Sequence, residues 1–412
     1  MLPPTINIGI MSAGAIAVYL HGSWLCSDGK AIKDKEMRIS RPCELNPLSP
    51  ESTFTLRGVT IGKTYHWQRE QDQTFIGKLS IIAEGEMLTA VNTLPIEDYL
   101  VSVISSEMSA TASVEFLKAS AVISRSWAVK TIIAQRAAHN IHKENPADAG
   151  NTPNRLICWQ DHEQHSLYDV CADDHCQRYQ GITRATNDNV QRAVSDTLGE
   201  VLTYQGEVCD CRFSKCCGGK TEEFDTCWQD KSLPYLQSIE DKDPKDGTIF
   251  CNTQDKAILA QVLNDYDQET ADFYRWEVSY TLPELSRLLS SKLNRDFGRI
   301  IELRPLRRGA RGRICELEIV GSKDNAHFII GKELTIREAL SESHLLSSAF
   351  EVERHCDAGI EKITLHGKGW GHGVGLCQIG AAVMGSKGYD YREILAHYYP
   401  HTEILKIQDL KE

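Results

Sequence analysis

The chain has 412 residues, 41% of them hydrophobic and 25% charged, which is the composition of a soluble globular protein too long for one ordinary domain. Its formal net charge of -12 argues against general nucleic-acid binding. No segment approaches the ~20 consecutive apolar residues that a membrane-spanning helix needs, so no transmembrane segment is expected.

Residues 1–90 alternate apolar and polar positions in short runs such as TINIGI, STFTLRGVTIG and MLTAVNT, separated by turn residues, and read as a β-rich N-terminal part. The opening MLPPTINIGIMSAGAIAVYLHG lacks a basic leader and reads as a strand with flanks, not as a signal peptide. Two helices follow. In LPIEDYLVSVISSEM, Pro95 suits the first turn, and Ile96, Tyr99, Leu100, Val103 and Ile104 recur at helical spacing, with Glu107 continuing the apolar stripe. In SVEFLKASAVISRSWAVKTIIAQ, Ser113 is the expected N-cap, small residues permit close packing, and Lys118 and Arg125 lie two turns apart on one face.

Residues 136–160 are polar and read as a loop. Strands are expected around LGEVLTYQGEVCDCRFSKCCGG. Residues 240–350 mix helical (PELSRLLSSKL) and strand (RICELEIVG) patterns, as an inserted α/β subdomain would. The basic run RPLRRGARGR (304–313) reads as a solvated hairpin tip, with a local anion contact as the alternative. Helices QIGAAVMGSKG and YREILAHYYP close the chain. The expected class is α+β: the β-rich part at 1–90, a helical core with the glutamate-bearing helix and a mixed C-terminal part at 91–239 and 351–412, and the insert at 240–350.

Glu107 is the most informative carboxylate. On an apolar face at a helix end it loses solvation, which raises a carboxyl pKa and suits a general acid; a helix-end glutamate in water is the plain alternative. Lys118 and Arg125 could bind a carboxylate or an acetamido oxygen beside that acid, or could be surface cations.

Fourteen cysteines are many for a cytosolic enzyme of this size, and disulfides, a metal site or both are compatible with them. In DHEQHSLYDVCADDHCQRY, His162, His165, Cys171, His175 and Cys176 offer thiols and imidazoles suited to tetrahedral zinc. The spacing matches neither HExxH nor the deaminase signature, and a disulfide to a cysteine elsewhere competes.

The glycine-rich stretch KGWGHGVGLCQIGA (368–381) fits no dinucleotide register. Trp370 could stack on a sugar ring, and His372 and Gln378 could hydrogen-bond to it; the alternative is a tight structural turn. Cys377 beside His372 permits a thiol-nucleophile reading that no other residue supports.

Together these segments resemble the family of stage II sporulation protein D (SpoIID) and the amidase enhancer LytB. LPIEDYLVSVISSEM resembles the family's opening motif and LKASAVISRSWA its second. DDHCQRYQG, SKCCGGKTE, LPYL and GKGWGHGVGLCQIGA with YREILAHYYP match further motifs in order, over roughly residues 50–405. Cys377 stands where many relatives have serine, and the cysteines at 209–227 are unusual.

The family includes peptidoglycan lytic transglycosylases, which cut between N-acetylmuramic acid and N-acetylglucosamine. The resemblance implies Glu107 as the single acid/base and substrate contacts at Lys118, Ser124, Arg125, Trp370, His372 and Gln378. It also implies a structural zinc on His165, Cys171, His175 and Cys176. Peptidoglycan glycan strands, and another wall hydrolase, would be the partners, at an extracytoplasmic location in the cell envelope. The competing readings are a non-catalytic module of the amidase-enhancer type and a zinc hydrolase.

Overall fold

Eight strands open the chain: β1 (Thr5–Ala13), β2 (Ile16–Cys26), β3 (Ala31–Ile39), β4 (Cys43–Pro47), β5 (Thr53–Ile61), β6 (Arg69–Phe75), β7 (Lys78–Glu84) and β8 (Met87–Pro95). The apolar opening is therefore two strands, broken at Gly14 and Ala15. In this computed structural model the described residues are 5–62, 68–109, 112–138, 151–159, 165–173, 175–183, 188–263, 272–323 and 326–410. The class is α+β, as expected.

The chain divides into two units. One holds Met1–His142, His162–Asp210 and Glu403–Glu412; the other holds Lys143–Asp161 and Cys211–Thr402. This division cuts the chain at other places than the composition does. The β-rich part shares a unit with the two helices after it, because those helices pack on its sheet and have no core of their own.

In the first unit, a nine-stranded sheet runs in the order Val170–Cys171, β1, β8, β7, β4, β2, β5, β6, with β3 on β2. β1 pairs antiparallel with β8 and parallel with Val170–Cys171. Alternation works as expected in β2, where Ile16, Val18, Leu20 and Trp24 point inward and are buried. An aromatic column leaves this core: Trp24 meets Phe54, Phe54 stacks on Phe75, Phe75 on Tyr179, and Tyr179 on Tyr99. The last ring belongs to α1 (Ile96–Glu107), so the sheet and the glutamate-bearing helix share one packed interior.

The apolar positions expected on α1 are all buried. The helix stops after Glu107 because Met108 is extended, its N–H closing on the Ile104 carbonyl at 2.9 Å. α2 (Val114–Ala138) begins where Ser113 accepts the Phe116 N–H at 3.3 Å, as an N-cap does. Its small residues Ala119, Ser120, Ala121, Ser124 and Ala128 are buried, which lets neighbouring backbone approach closely. α3 (Asp188–Asp196) packs on both helices.

The second unit is built on a four-stranded sheet (Ile300–Arg308, Ile314–Gly321, His327–Gly331, Arg155–Ile157) and a three-stranded one (Arg275–Thr281, Ile360–Lys368, Phe350–Asp357). Residues 155–157, expected in a loop, add a parallel strand to His327–Gly331. Helix Leu282–Lys292, started by a Thr281/Glu284 capping box, buries Leu282, Leu285 and Leu289 in this core.

The basic run is a hairpin, but its tip is docked. Glu222 accepts the backbone N–H groups of Arg311 and Arg313 at 3.2 Å, and Arg313 is buried. Arg304, Arg307 and Arg308 pair with Glu302, Glu316, Glu318 and Glu351. Arg311 at the tip donates to Ser238 Oγ at 2.5 Å, so the tip is held against the unit and not free in solvent.

Candidate functional site

Glu107 closes α1, half-buried, and its Oε1 accepts the Arg178 N–H at 3.2 Å. The segment that supplies this N–H is fixed at several points. Tyr99 donates from its hydroxyl to Gln177 Oε1 at 3.1 Å, and Tyr179 donates to Asn92 Oδ1 at 2.6 Å. Gly181, at φ +62°, lies against β6: a Cβ there would sit 2.2 Å from the Thr74 carbonyl oxygen. Only glycine combines that backbone conformation with that approach.

Immediately upstream the same segment gathers His165, Cys171, His175 and Cys176. Their ligand atoms all lie within 4.8 Å of one another. Cys176 Sγ is 3.4 Å from His165 Nε2 and 3.4 Å from His175 Nδ1, and Cys171 Sγ is 3.9 Å from His175 Nδ1. Tetrahedral bonds of about 2.3 Å to sulfur and about 2.0 Å to nitrogen separate ligand atoms by roughly 3.3–3.8 Å, so the group fits one ion. Cys176, opposed by burial but joined by His165 and His175, hydrogen-bonds the Cys171 sulfur and pulls its pKa down, toward the thiolate a metal requires. His162 lies outside the described residues. The cluster is set by β1: Cys171 pairs with Gly9, and the Ala172 N–H donates to the Gly9 carbonyl at 3.0 Å.

A concavity borders this segment, lined by residues that include Gly9, Met11, Val59, Gln73, Cys171 and Arg178. Gln73 of β6 is 0% exposed, and neither its Oε1 nor its Nε2 has a hydrogen-bond partner among the described residues. An unpaired buried amide costs about 1–3 kcal/mol, so its presence beside an open concavity marks it as a group that water or a ligand satisfies. Nothing in the sequence singled out Gln73, because its significance lies in missing partners.

Lys118 and Arg125 do share a face of α2, but that face meets α3 and the strand after it. Arg125 is 0% exposed. It forks onto Glu97 (Nε–Oε1 2.9 Å, Nη2–Oε2 2.6 Å) and donates to the carbonyls of Glu200 at 3.0 Å and Val194 at 3.4 Å. No guanidinium surface is left for a sugar, so the expected substrate contact gives way to a clamp between α1 and the α3 C-terminus, where cations are favoured. Ser124 is also buried. Lys118 pairs with Glu115 and Asp196, both at 3.1 Å, and its side chain keeps 17% exposure.

The glycine-rich loop belongs to the second unit. Gly369, Gly371, Gly373 and Gly375 all have positive φ. At Gly373 a Cβ would sit 2.2 Å from the Arg313 guanidinium carbon, and at Gly375 2.0 Å from the Arg212 carbonyl oxygen. Arg313 in turn donates to the Gly371 carbonyl at 3.1 Å.

His372 is half-buried, edge-on against Trp228. Its Nδ1 accepts the Val374 N–H at 3.0 Å. Burial, reinforced by Arg212, Arg313 and Arg337, pushes its pKa down to about 3. Gln378 is 2% exposed as the first residue of the helix Gln378–Ser386. Gln378 is thus sealed inside the unit, away from the expected sugar contact, while His372 and Trp370 are partly exposed. Cys377 accepts the Cys217 N–H at 3.3 Å, and among the described residues no hydrogen bond joins it to His372.

All fourteen cysteines are free thiols. Cys217, Asp241, Cys251 and Cys377 form a second, buried group of metal-type ligands. Cys251 and Asp241 attracted no attention in the sequence, since they stand far from the other members.

Comparison with known proteins agrees with the motif pattern. Residues 84–204 match the family described as Stage II sporulation protein, and residues 222–375 match a domain of unknown function (DUF8618). The stage II sporulation protein D of Bacillus subtilis is 27% identical over 316 residues, 76% of each chain. An uncharacterized protein of Brachyspira hyodysenteriae is 29% identical over 331 residues, 80% of this chain and 72% of that one. The amidase enhancer of Bacillus subtilis is 27% identical over 237 residues, 53% of this chain and 33% of that one. Among the described residues no helix is long and apolar enough to cross a membrane. With its motifs in family order and these similarities along most of its length, the chain belongs to the family of stage II sporulation protein D and the amidase enhancer.

Proposed function

We propose that the chain is a peptidoglycan lytic transglycosylase of the cell envelope, with Glu107 as its single acid/base. The observation that carries this reading is the placement of Glu107: half-buried at the end of a helix whose apolar face is packed, and held by the backbone N–H of Arg178. One carboxyl suffices for this reaction. Ordinary glycosidases use two, one as acid and the other as base or nucleophile. In a lytic transglycosylase Glu107 protonates the glycosidic oxygen between N-acetylmuramic acid and N-acetylglucosamine. It then takes the proton of the muramyl C6 hydroxyl as that oxygen closes a 1,6-anhydro ring, and so returns to its starting state. Lys118, whose side chain stays partly exposed, is the residue we assign to glycan contact.

His165, Cys171, His175 and Cys176 would hold zinc, whose contribution there is structural: it ties down the segment that ends in Arg178. Four protein donors fill a tetrahedron, which argues against a zinc hydrolase needing an open position for water. The second reading is a non-catalytic wall-binding module that stimulates another wall hydrolase; the similarity to an amidase enhancer favours it.

The test is mass spectrometry of purified peptidoglycan after incubation with the protein. Products ending in 1,6-anhydromuramic acid are expected from the unaltered chain and not from Glu107→Gln, which should still bind wall. Wall binding without such products, together with stimulation of a partner amidase, would establish the second reading instead.

A further inference from the structure

Three chain segments far apart in sequence converge in the second unit on one buried point. Cys217 comes from the stretch after Phe213–Ser214, Asp241 and Cys251 flank a turn, and Cys377 immediately precedes the helix Gln378–Ser386. Their ligand atoms lie within 4.8 Å of one another and all four residues are buried. Cys217 Sγ is 3.6 Å from Cys251 Sγ and 3.4 Å from Asp241 Oδ2. These are edges of a tetrahedron around an ion with bonds of about 2.3 Å to sulfur and about 2.0–2.2 Å to oxygen.

A second observation is the charge of Asp241. Its side chain is 0% exposed, and among the described residues the basic group paired with it is His397, whose Nε2 lies 3.8 Å from Oδ1. Buried carboxylates are paired with a cation, bound to metal or protonated. Here the neighbours on the other side are three thiols, which a proton would not organise.

The surroundings are those of a metal ligand set. Tyr398 donates from its hydroxyl to Asp241 Oδ1 at 2.6 Å, and the Cys251 N–H donates to Oδ2 at 3.2 Å. The Cys217 N–H donates to Cys377 Sγ at 3.3 Å. Such outer partners orient ligands and share their negative charge. Gly380 makes the approach possible, since a Cβ there would sit 2.2 Å from the Tyr398 hydroxyl and 2.7 Å from Asp241 Oδ1. A disulfide accounts for less: it joins two sulfurs at about 2.05 Å and leaves a third thiol beside an uncompensated carboxylate.

We propose that Cys217, Asp241, Cys251 and Cys377 form a second metal site, closed and structural, for a thiophilic divalent cation of the zinc type. Binding displaces the three thiol protons, and the cation offsets the charge of Asp241. Soft thiolates select zinc over magnesium or calcium, and four protein donors leave no position for substrate. The ion staples the end of the glycine-rich loop to the 241–251 turn. This assignment is independent of the catalytic reading and of the His165 cluster.

The experiment uses the full chain purified without added metal or chelator, with zinc measured by elemental analysis. Cys171→Ser combined with Cys176→Ser, which leaves the second cluster intact, should retain one equivalent. Adding Asp241→Asn or Cys251→Ser should remove it, while Cys216→Ser, a thiol that also lies against Cys251 and Cys377, should not. Retention after Asp241→Asn with loss after Cys216→Ser would overturn the ligand set. Should the variants not fold, the unaltered chain decides. Zinc-edge anomalous scattering from its crystals should place a peak among these four residues. No peak there, or a disulfide joining any two of the three cysteines, would overturn the proposal.

Discussion

Around Glu107 the protein holds a carboxylate half-open at a helix end, and the segment that donates to it borders a concavity lined by an unpartnered buried amide. Around the glycine-rich loop it does the opposite. There His372 Nδ1 is taken by the Val374 N–H, Gln378 is sealed in, and Gly369, Gly373 and Gly375 are pressed against an arginine or a carbonyl. Both regions carry the polar and aromatic residues from which a binding site is read. They differ in what the fold leaves unspent. A side chain acts on a ligand only with capacity that its own structure has not used, and the loop has used most of its capacity to hold itself together.

The largest effect that would sharpen this contrast is at Glu107. Glu107→Gln keeps size and removes the transferable proton, so the yield of 1,6-anhydro ends should fall at least ~10²–10⁴-fold. The thermal midpoint should hold or rise slightly. A variant that keeps its activity removes Glu107 from the chemistry.

Arg125→Ala should act on stability. It leaves Glu97 facing a buried pocket without its partner, a change that typically costs about 3–5 kcal/mol, readable by denaturant unfolding. Protein that remains folded should still turn over. A stable but inactive Arg125→Ala would restore the substrate contact that the family resemblance implies and erase the contrast drawn here.

Gly373→Ala combines a positive φ with a collision at Arg313, and about 1–3 kcal/mol of strain is expected. Activity measured well below the midpoint should be unchanged. If instead kcat falls while the unfolding curve stays in place, the loop lines the glycan cleft after all.

The smallest effect is the pH dependence that His372 introduces. Its folded pKa of about 3 lies below the unfolded value of about 6.5, so between these pH values the unfolded chain binds the extra proton. Its contribution to stability is complete above about pH 6.5 and declines as pH falls toward 3. Between pH 6.5 and 5, above most carboxylate titrations, the slope due to this one group is at most about 1.4 kcal/mol per pH unit. His372→Gln should flatten the stability curve in that window. An unchanged slope would mean that the ring is solvated and available to a ligand.

Local order was legible in the sequence. The strands before residue 90, the two helices with their buried stripe and the Ser113 cap all follow from periodicity and capping chemistry, which neighbouring residues determine. The cluster at 165–176 was legible too, because its members lie close in the chain. Gln73, Asp241 and Cys251 were not legible. The first matters through partners it lacks, and the other two through partners far away in sequence.

The sequence by itself determined the family, the α+β class, the helix that ends in Glu107, and Lys118 and Arg125 on one helical face. The tertiary structure decided what those residues face. It turned Arg125 inward onto Glu97, brought the Arg178 backbone to Glu107, sealed Gln378, and drew three distant cysteines around Asp241. The reason is physical: periodicity fixes which side of an element a residue occupies, but burial and partner choice are set by whichever elements pack there, and those come from anywhere in the chain.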